Sequence, residues 1–372
     1  MSTKKLLILT NTDWHFCAHL MPIAIEAQRR GYSVVLVVDI SNAKFIDEIT
    51  AKGIKVIPIQ IKRSSINIVR EILLLAKIIR IIKEEKPQVL HNFTMKPILY
   101  GSISGTICKV PKIINNFLGM GILFTSSNTL IGCVRRIVTW QLLLLSRSKN
   151  MIFIVQNGDD RKLLLELKIA THDNLVSQCS VGIKSTKFPL LENIEGPIIF
   201  TLMARMVIDK GIYEFIEASR LLTSKNLAAE FWLVGEPDND SKISIPISLL
   251  KYHHDQGYIK YLGYQTNIEN IWQHSHVAVL PSYREGLSRV LLEAGAYGRA
   301  LITTDAPGGR EVVKHQTTGL LVKVKNAIDL ANSMELLVND HELRTKLGMN
   351  ARNHIITNYD CDLIVKKTVD LY

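Results

Sequence analysis

The chain has 372 residues, 47% hydrophobic and 21% charged, too long for one small core and too apolar for a disordered chain, so about two globular domains are expected. Its five cysteines (Cys17, Cys108, Cys133, Cys179 and Cys361) are odd in number and form no C-x-x-C pair, which argues against a disulfide framework or a cysteine-rich zinc site. The net charge of +11 is unevenly placed: residues 1–190 carry 26 Lys and Arg against 12 Asp and Glu, the remainder 19 against 22, so only the first half is suited to a polyanionic surface.

In chain order, two lysines precede an apolar run at 6–9 that is too short for a secretory leader and reads as a first strand. Further runs rich in Ile and Val follow at 34–39, 56–60, 89–93, 113–117 and 151–156, then at 198–203, 231–235, 260–263, 277–280, 300–305 and 320–323. Helical-length segments separate them. Such alternation, occurring twice, predicts two α/β domains whose parallel sheets are covered by helices. Gly182, Pro189, Gly196 and Pro197 interrupt any helix between the halves and mark the linker, and ligands are expected in a cleft at the C-terminal strand ends. Two apolar segments, 66–82 with Arg70, Lys77 and Arg80, and 137–145 behind Arg135 and Arg136, are too broken by charge to span a bilayer. They read as core helices with snorkelling cations or as surfaces for anionic lipid, and lipid contact by at least one of them is expected.

No glycine-rich phosphate loop, H-E-x-x-H or G-x-S-x-G occurs. Asp238-Asn-Asp240 and Asp360-Cys-Asp362 match the D-x-D pattern of metal-dependent sugar transferases, but the first lies in a turn and the second near the C-terminus, and both read as solvated surface. The most specific stretch is Pro281-Ser-Tyr-Arg-Glu-Gly-Leu-Ser-Arg-Val-Leu-Leu-Glu293. It follows an apolar strand and opens a helix that Ser288 can cap, an arrangement that presents backbone amides and a positive dipole end to a diphosphate. Its carboxylates, Glu285 and Glu293, can accept hydrogen bonds from sugar and ribose hydroxyls. Arg205 and Lys210 supply fixed cations for the charge that grows on a leaving diphosphate.

These residues resemble the retaining nucleotide-sugar glycosyltransferases of family 4, whose two Rossmann-like domains face a cleft in the GT-B fold. Pro281-Ser282, Glu285-Gly286 and Glu293-Ala294 match their P-S-x-x-E-G signature with two spaced glutamates, and Arg205 with Lys210-Gly211 matches the R-x-x-x-x-K-G clamp. Leu233-Val-Gly235 and Tyr261-Leu-Gly263 look like the nucleobase-side strand ends; Asp305, Gly308-Gly309, Glu311 and Gly319-Leu-Leu-Val322 look like the closing segment. The resemblance implies an acceptor domain at 1–185, a donor domain at 186–358 and a final helix at 359–372 packing back on the first domain. Donor contacts are implied for Arg205, Lys210, Gly235, Gly263, Glu285, Gly286, Leu287, Ser288 and Glu293, with Glu285, Arg205 and Lys210 catalytic and no metal or cofactor.

The first half resembles a bacterial subgroup that builds surface polysaccharides and lipid-linked oligosaccharides. Its acceptor-side candidates are Trp14, His19, His91, Lys96, Gly119 and Gly121, with His91 or His19 relaying a proton. Leu118 stands where many members carry a histidine, so a base is not identified, and a front-face reaction can instead pass the acceptor proton to the leaving phosphate. The expected partners are an NDP-sugar, preferably a UDP-sugar, a polyprenyl-diphosphate-linked saccharide and the anionic inner face of the cytoplasmic membrane. No nucleic acid is expected. A GT-B-like sugar-nucleotide epimerase is the alternative enzyme class; a nucleic-acid-binding protein would leave the glutamate and Arg/Lys pattern unexplained.

Overall fold

The computed structural model describes residues 4–61, 67–120, 124, 129–146, 148, 150–180, 182–192, 195–238 and 241–372. The chain divides into two compact units, one made of Met1–Gly182 with Cys361–Tyr372 and the other of Ile183–Asp360.

The first unit holds seven parallel strands: β1 (Lys4–Thr10), β2 (Tyr32–Val38), β3 (Lys55–Pro58), β4 (Val89–Phe93), β5 (Lys112–Asn116), β6 (Met151–Val155) and β7 (Leu175–Ser177). Their order, β3-β2-β1-β4-β5-β6-β7, reverses direction of growth between β1 and β4. Alternate side chains feed two cores, Leu7, Leu9, Leu90 and Ile113 on one face and Leu6, Ile8, Phe93 and Ile114 on the other. Covered on both faces, the strands read as continuous apolar runs, and each fully buried Leu or Ile contributes about 1.5–3 kcal/mol. The final helix, Cys361–Val369, buries Val365 and Val369 in the second of these cores.

The helix Ile68–Glu85 starts where the Asn67 side chain accepts a hydrogen bond from the Arg70 amide, and ends at Lys86 in the left-handed region, before Pro87. Only its C-terminal half is seated: Ile78, Ile81 and Ile82 are buried, whereas Ile68 is 74% exposed and Val69, Ile72 and Leu73 are exposed with it. The helix Thr129–Leu145 buries Val138 and Leu142 in the same core and exposes Val134, Ile137, Trp140 and Leu144. Both lie in the layer that also contains the helix Met95–Ile107. Among the described residues no helix is long and apolar enough to cross a membrane.

The second unit holds β8 (Ile198–Met203), β9 (Ala229–Val234), β10 (Lys260–Gly263), β11 (Val277–Leu280), β12 (Ala300–Thr304) and β13 (Leu320–Val322). They form one parallel sheet in the order β10-β9-β8-β11-β12-β13, with the reversal between β8 and β11. Ligands of open parallel sheets bind where the strand order reverses, outside the C-terminal strand ends. In this unit that place lies beyond Met203 and Leu280.

Candidate active site

Arg205 and Lys210 follow β8, and the Pro281–Glu293 stretch follows β11, so the two motifs straddle the reversal in the second sheet. After β8 the chain makes a single 3-10 turn, Ile208–Lys210, and leaves it through Gly211 at φ 72° to start the helix Ile212–Thr223. A Cβ at Gly211 would overlap the Pro281 carbonyl, so only glycine lets the two loops approach this closely. There Lys210 pairs with Glu285. The Glu285 amide donates to the Pro307 carbonyl at 2.9 Å, and Gly308 packs against the Glu285 backbone, so the carboxylate is carried on a loop held from both sides.

Arg205 is 67% exposed and pairs with Asp238, half of the first D-x-D match; residues 239 and 240 lie outside the described residues. Arg205, Gly235, Asp238, Tyr264 and Val290 line a cavity of about 670 Å³ at the ends of β8, β9 and β10. Gly235 donates its amide to the Gly263 carbonyl at 2.8 Å, which joins the two expected nucleobase-side strand ends. The second D-x-D match is structural: the Asp360 carboxylate accepts a 2.6 Å hydrogen bond from the Ser185 hydroxyl.

Gly286 and Leu287 continue the Glu285 loop, and the Ser288 hydroxyl caps the helix Arg289–Ala296 by accepting from the Leu291 amide at 3.3 Å. Glu293, one turn on, is buried and accepts from Arg289 Nε at 2.6 Å. Burial raises its pKa above the ordinary carboxylate value against the opposing pull of Arg289. The structure thus brings Lys210 and Glu285 together, and Arg205 and Gly235 around one cavity, with Glu293 behind them on the following helix. Sequence reading passed over Tyr283, whose amide donates to the Asp209 carbonyl at 2.9 Å; its signal was an aromatic residue inside an otherwise polar loop.

In the first unit the candidates separate. Trp14 is 46% exposed on the turn after β1, where it packs edge-on to His19, 6.2 Å between ring centroids, and His19 packs on His15 at 5.0 Å. His19 sits in a π-helical turn, Phe16–Leu20, a geometry frequent at functional sites. Buried Asp13 anchors that turn by accepting from the Ser41 hydroxyl and amide at 2.7 Å each. Lys96, at the start of Met95–Ile107, pairs with Glu71 at 2.7 Å, and Glu71 also accepts from the Tyr100 hydroxyl. Gly119 has φ 132°, and Gly121 lies outside the described residues.

His91 lies in the interior of the first unit. Its side chain is 0% exposed, its Nδ1 lies 2.8 Å from the Tyr372 hydroxyl and its ring packs 4.0 Å from Phe93. Burial pushes its pKa down to about 3, which leaves the imidazole neutral at pH 7, and among the described residues its Nε2 is buried without a hydrogen-bond partner. By alternation along β4, His91 shares the face of Val89 and Phe93, opposite the face that carries Leu90, and both faces are buried.

A family model described as "Glycosyl transferases group 1" matches residues 184–354, and one described as "Glycosyl transferase 4-like" matches residues 5–154. The chain is 28% identical to an N,N'-diacetylbacillosaminyl-diphospho-undecaprenol alpha-1,3-N-acetylgalactosaminyltransferase of Campylobacter jejuni, over 95% of this chain and 94% of that one. It is 25% identical to a UDP-Gal:alpha-D-GlcNAc-diphosphoundecaprenol alpha-1,3-galactosyltransferase of Escherichia coli, over 83% and 81% of the two chains. Among solved structures, Anabaena HepE in complex with UDP superposes with a TM-score of 0.78 at 16% identity, over 99% of this chain and 98% of that one. Motifs, sheet topology and matches agree: the chain is a glycosyltransferase and belongs to the family 4 enzymes of GT-B fold, built from a 4-like N-terminal and a group 1 C-terminal domain.

Proposed function

We propose that the chain transfers a sugar, with retention of configuration, from a UDP-sugar to a saccharide carried on a polyprenyl diphosphate, in the assembly of a surface polysaccharide. The observation that carries this reading is the Lys210–Glu285 pair at the strand-order reversal, next to the cavity that Arg205 lines. Fixed cations beside a carboxylate suit a leaving diphosphate attached to a hydroxyl-bearing ring. In the reaction the bond between the anomeric carbon and the diphosphate oxygen breaks, and its electron pair stays on the diphosphate. The acceptor oxygen bonds to the same carbon, and its proton passes to a phosphate oxygen. Arg205 and Lys210 stabilise the growing negative charge, preorganised groups of this kind being worth about 3–4 kcal/mol each in enzymes. Glu285 orients the sugar hydroxyls and Glu293 the ribose.

The two relatives that act on diphospho-undecaprenol-linked sugars support the acceptor class. In our reading the first unit receives that acceptor, with Trp14 and His19 beside it, and rests on the anionic cytoplasmic face of the membrane. The exposed apolar residues of its two outer helices favour this, as do Arg70, Arg80 and Arg136 on the same helices. A thermal-shift screen with UDP, GDP, ADP and their common sugars tests the donor half. A shift selective for a UDP-sugar and lost in Arg205→Ala is expected; no shift with any nucleotide overturns the reading.

A further inference from the structure

The loop carrying Lys210 and the loop carrying Glu285 are tied together at three places besides that ion pair. Gly211 packs against Pro281, and the Tyr283 amide donates to the Asp209 carbonyl at 2.9 Å. The third tie joins side chains: the Tyr283 hydroxyl donates to Glu214 Oε1 at 2.7 Å. Glu214 lies in the first turn of Ile212–Thr223, four residues after Lys210, where the positive end of the helix dipole favours a carboxylate. Among the described residues its second oxygen, Oε2, is buried without a hydrogen-bond partner, so the carboxylate is held through Oε1 by the phenol. Lys325 Nζ lies over the Tyr283 ring, 4.8 Å from its centroid.

We propose that Tyr283 and Glu214 are a positioning pair that sets the spacing between Lys210 and Glu285, and so between the cation that meets the diphosphate and the carboxylate that meets the sugar. Neither residue touches substrate in this proposal. It rests on the donor-site reading above and adds to it why the two loops keep one geometry. Small losses of placement at reacting groups cost disproportionately in rate, so the pair acts on turnover more than on nucleotide affinity. Burial, and then the Glu214 carboxylate, push the Tyr283 phenol above its ordinary value, which keeps it a donor throughout the neutral range.

The test uses the full chain and the UDP-sugar that the wild type turns over fastest among UDP-glucose, UDP-galactose and their N-acetyl forms, with undecaprenyl-diphosphate-linked N-acetylglucosamine as acceptor and UDP release as readout. Tyr283→Phe keeps the ring and its Lys325 contact and removes only the hydroxyl. It is expected to lower kcat about tenfold or more, the size of a lost hydrogen bond to a charged group, with UDP affinity by calorimetry within about threefold of wild type. Glu214→Gln keeps an acceptor and is expected to retain most of the wild-type rate, Glu214→Leu to match Tyr283→Phe, and Tyr283→Phe/Glu214→Leu to be no worse than either alone. Wild-type kcat in both Tyr283→Phe and Glu214→Leu, or additive losses in the double variant, overturns the pair. If either variant fails to fold, the other with the Gln variant decides. Lys210→Ala separates this result from failure of the donor site. If Lys210→Ala loses turnover while the Tyr283 and Glu214 variants do not, only the pair is wrong; if Lys210→Ala keeps wild-type turnover, or the wild type releases no UDP, both are wrong.

Discussion

His91 provides a quantitative test of burial in β4. Its imidazole is buried with a pKa near 3, against the unperturbed value of 6.5 that the unfolded chain restores. Because the folded value is depressed, the unfolded state binds the extra proton, so the stability this residue supports is complete above pH 6.5 and is lost as pH falls towards 3. One proton over that interval gives about 1.4 kcal/mol per pH unit, or about 2 kcal/mol between pH 7.5 and 5.0 and about 3 kcal/mol by pH 4.0. The perturbation is His91→Gln, which leaves a polar group facing the Tyr372 hydroxyl and removes the titration. Hydrogen exchange of peptides spanning β4, measured over a urea series at each pH, reports the opening free energy of the first unit. Wild type is expected to lose about 2 kcal/mol more than the variant between pH 7.5 and 5.0, while sugar transfer at pH 7.5 stays within about twofold. Parallel stability profiles would refute the burial argument. A hundredfold loss of turnover in a folded variant would place His91 in the chemistry.

The donor cations and glutamate make a second prediction: Glu285→Gln should lower turnover by about a hundredfold or more, as for other preorganised transition-state contacts, and Arg205→Ala should also weaken UDP binding in calorimetry. Wild-type values in both variants would remove the site assignment. For the membrane face, Ile72→Asp combined with Trp140→Asp should cut co-sedimentation with phosphatidylglycerol vesicles at least about tenfold, since each large apolar side chain withdrawn from water is worth roughly 1.5–3 kcal/mol. Neutral phosphatidylcholine vesicles should bind weakly throughout; unchanged sedimentation of the double variant would show that another surface docks. Glu293 carries the opposite pH sign to His91. Its folded pKa is raised, so the stability it contributes is present below the ordinary carboxylate value and is lost as pH rises through the folded one. The wild-type minus Glu293→Gln difference in melting temperature should therefore fall with pH above about 4.3, and a flat difference would contradict the buried carboxylate.

What could be read from the residues, and what could not, divides along the same physical line in both units. Strands buried on both faces announce themselves by composition, and 89–93, 198–203 and 277–280 were read with the bounds they have in the fold. The edge strand Leu175–Ser177 was not, because its run ends in a polar residue and buries only Leu175, whereas the equally short Leu320–Val322 is apolar throughout. The donor side was legible because stabilising a leaving diphosphate demands cations and carboxylates at fixed spacings, and such residues stand out in loops that follow apolar strands. The acceptor side demands hydroxyl and apolar contacts, which use the same residue types as ordinary packing. His91 and His19 looked alike in the sequence; only the covering of β4 on both faces, which encloses the first, and the π-helical turn after β1, which sets the second against Trp14, tell them apart. Tyr283 was hidden for a related reason. Its partner Glu214 lies 69 positions away in the chain, and a tie of that length becomes visible only when a glycine with no room for a Cβ brings two loops of one sheet together.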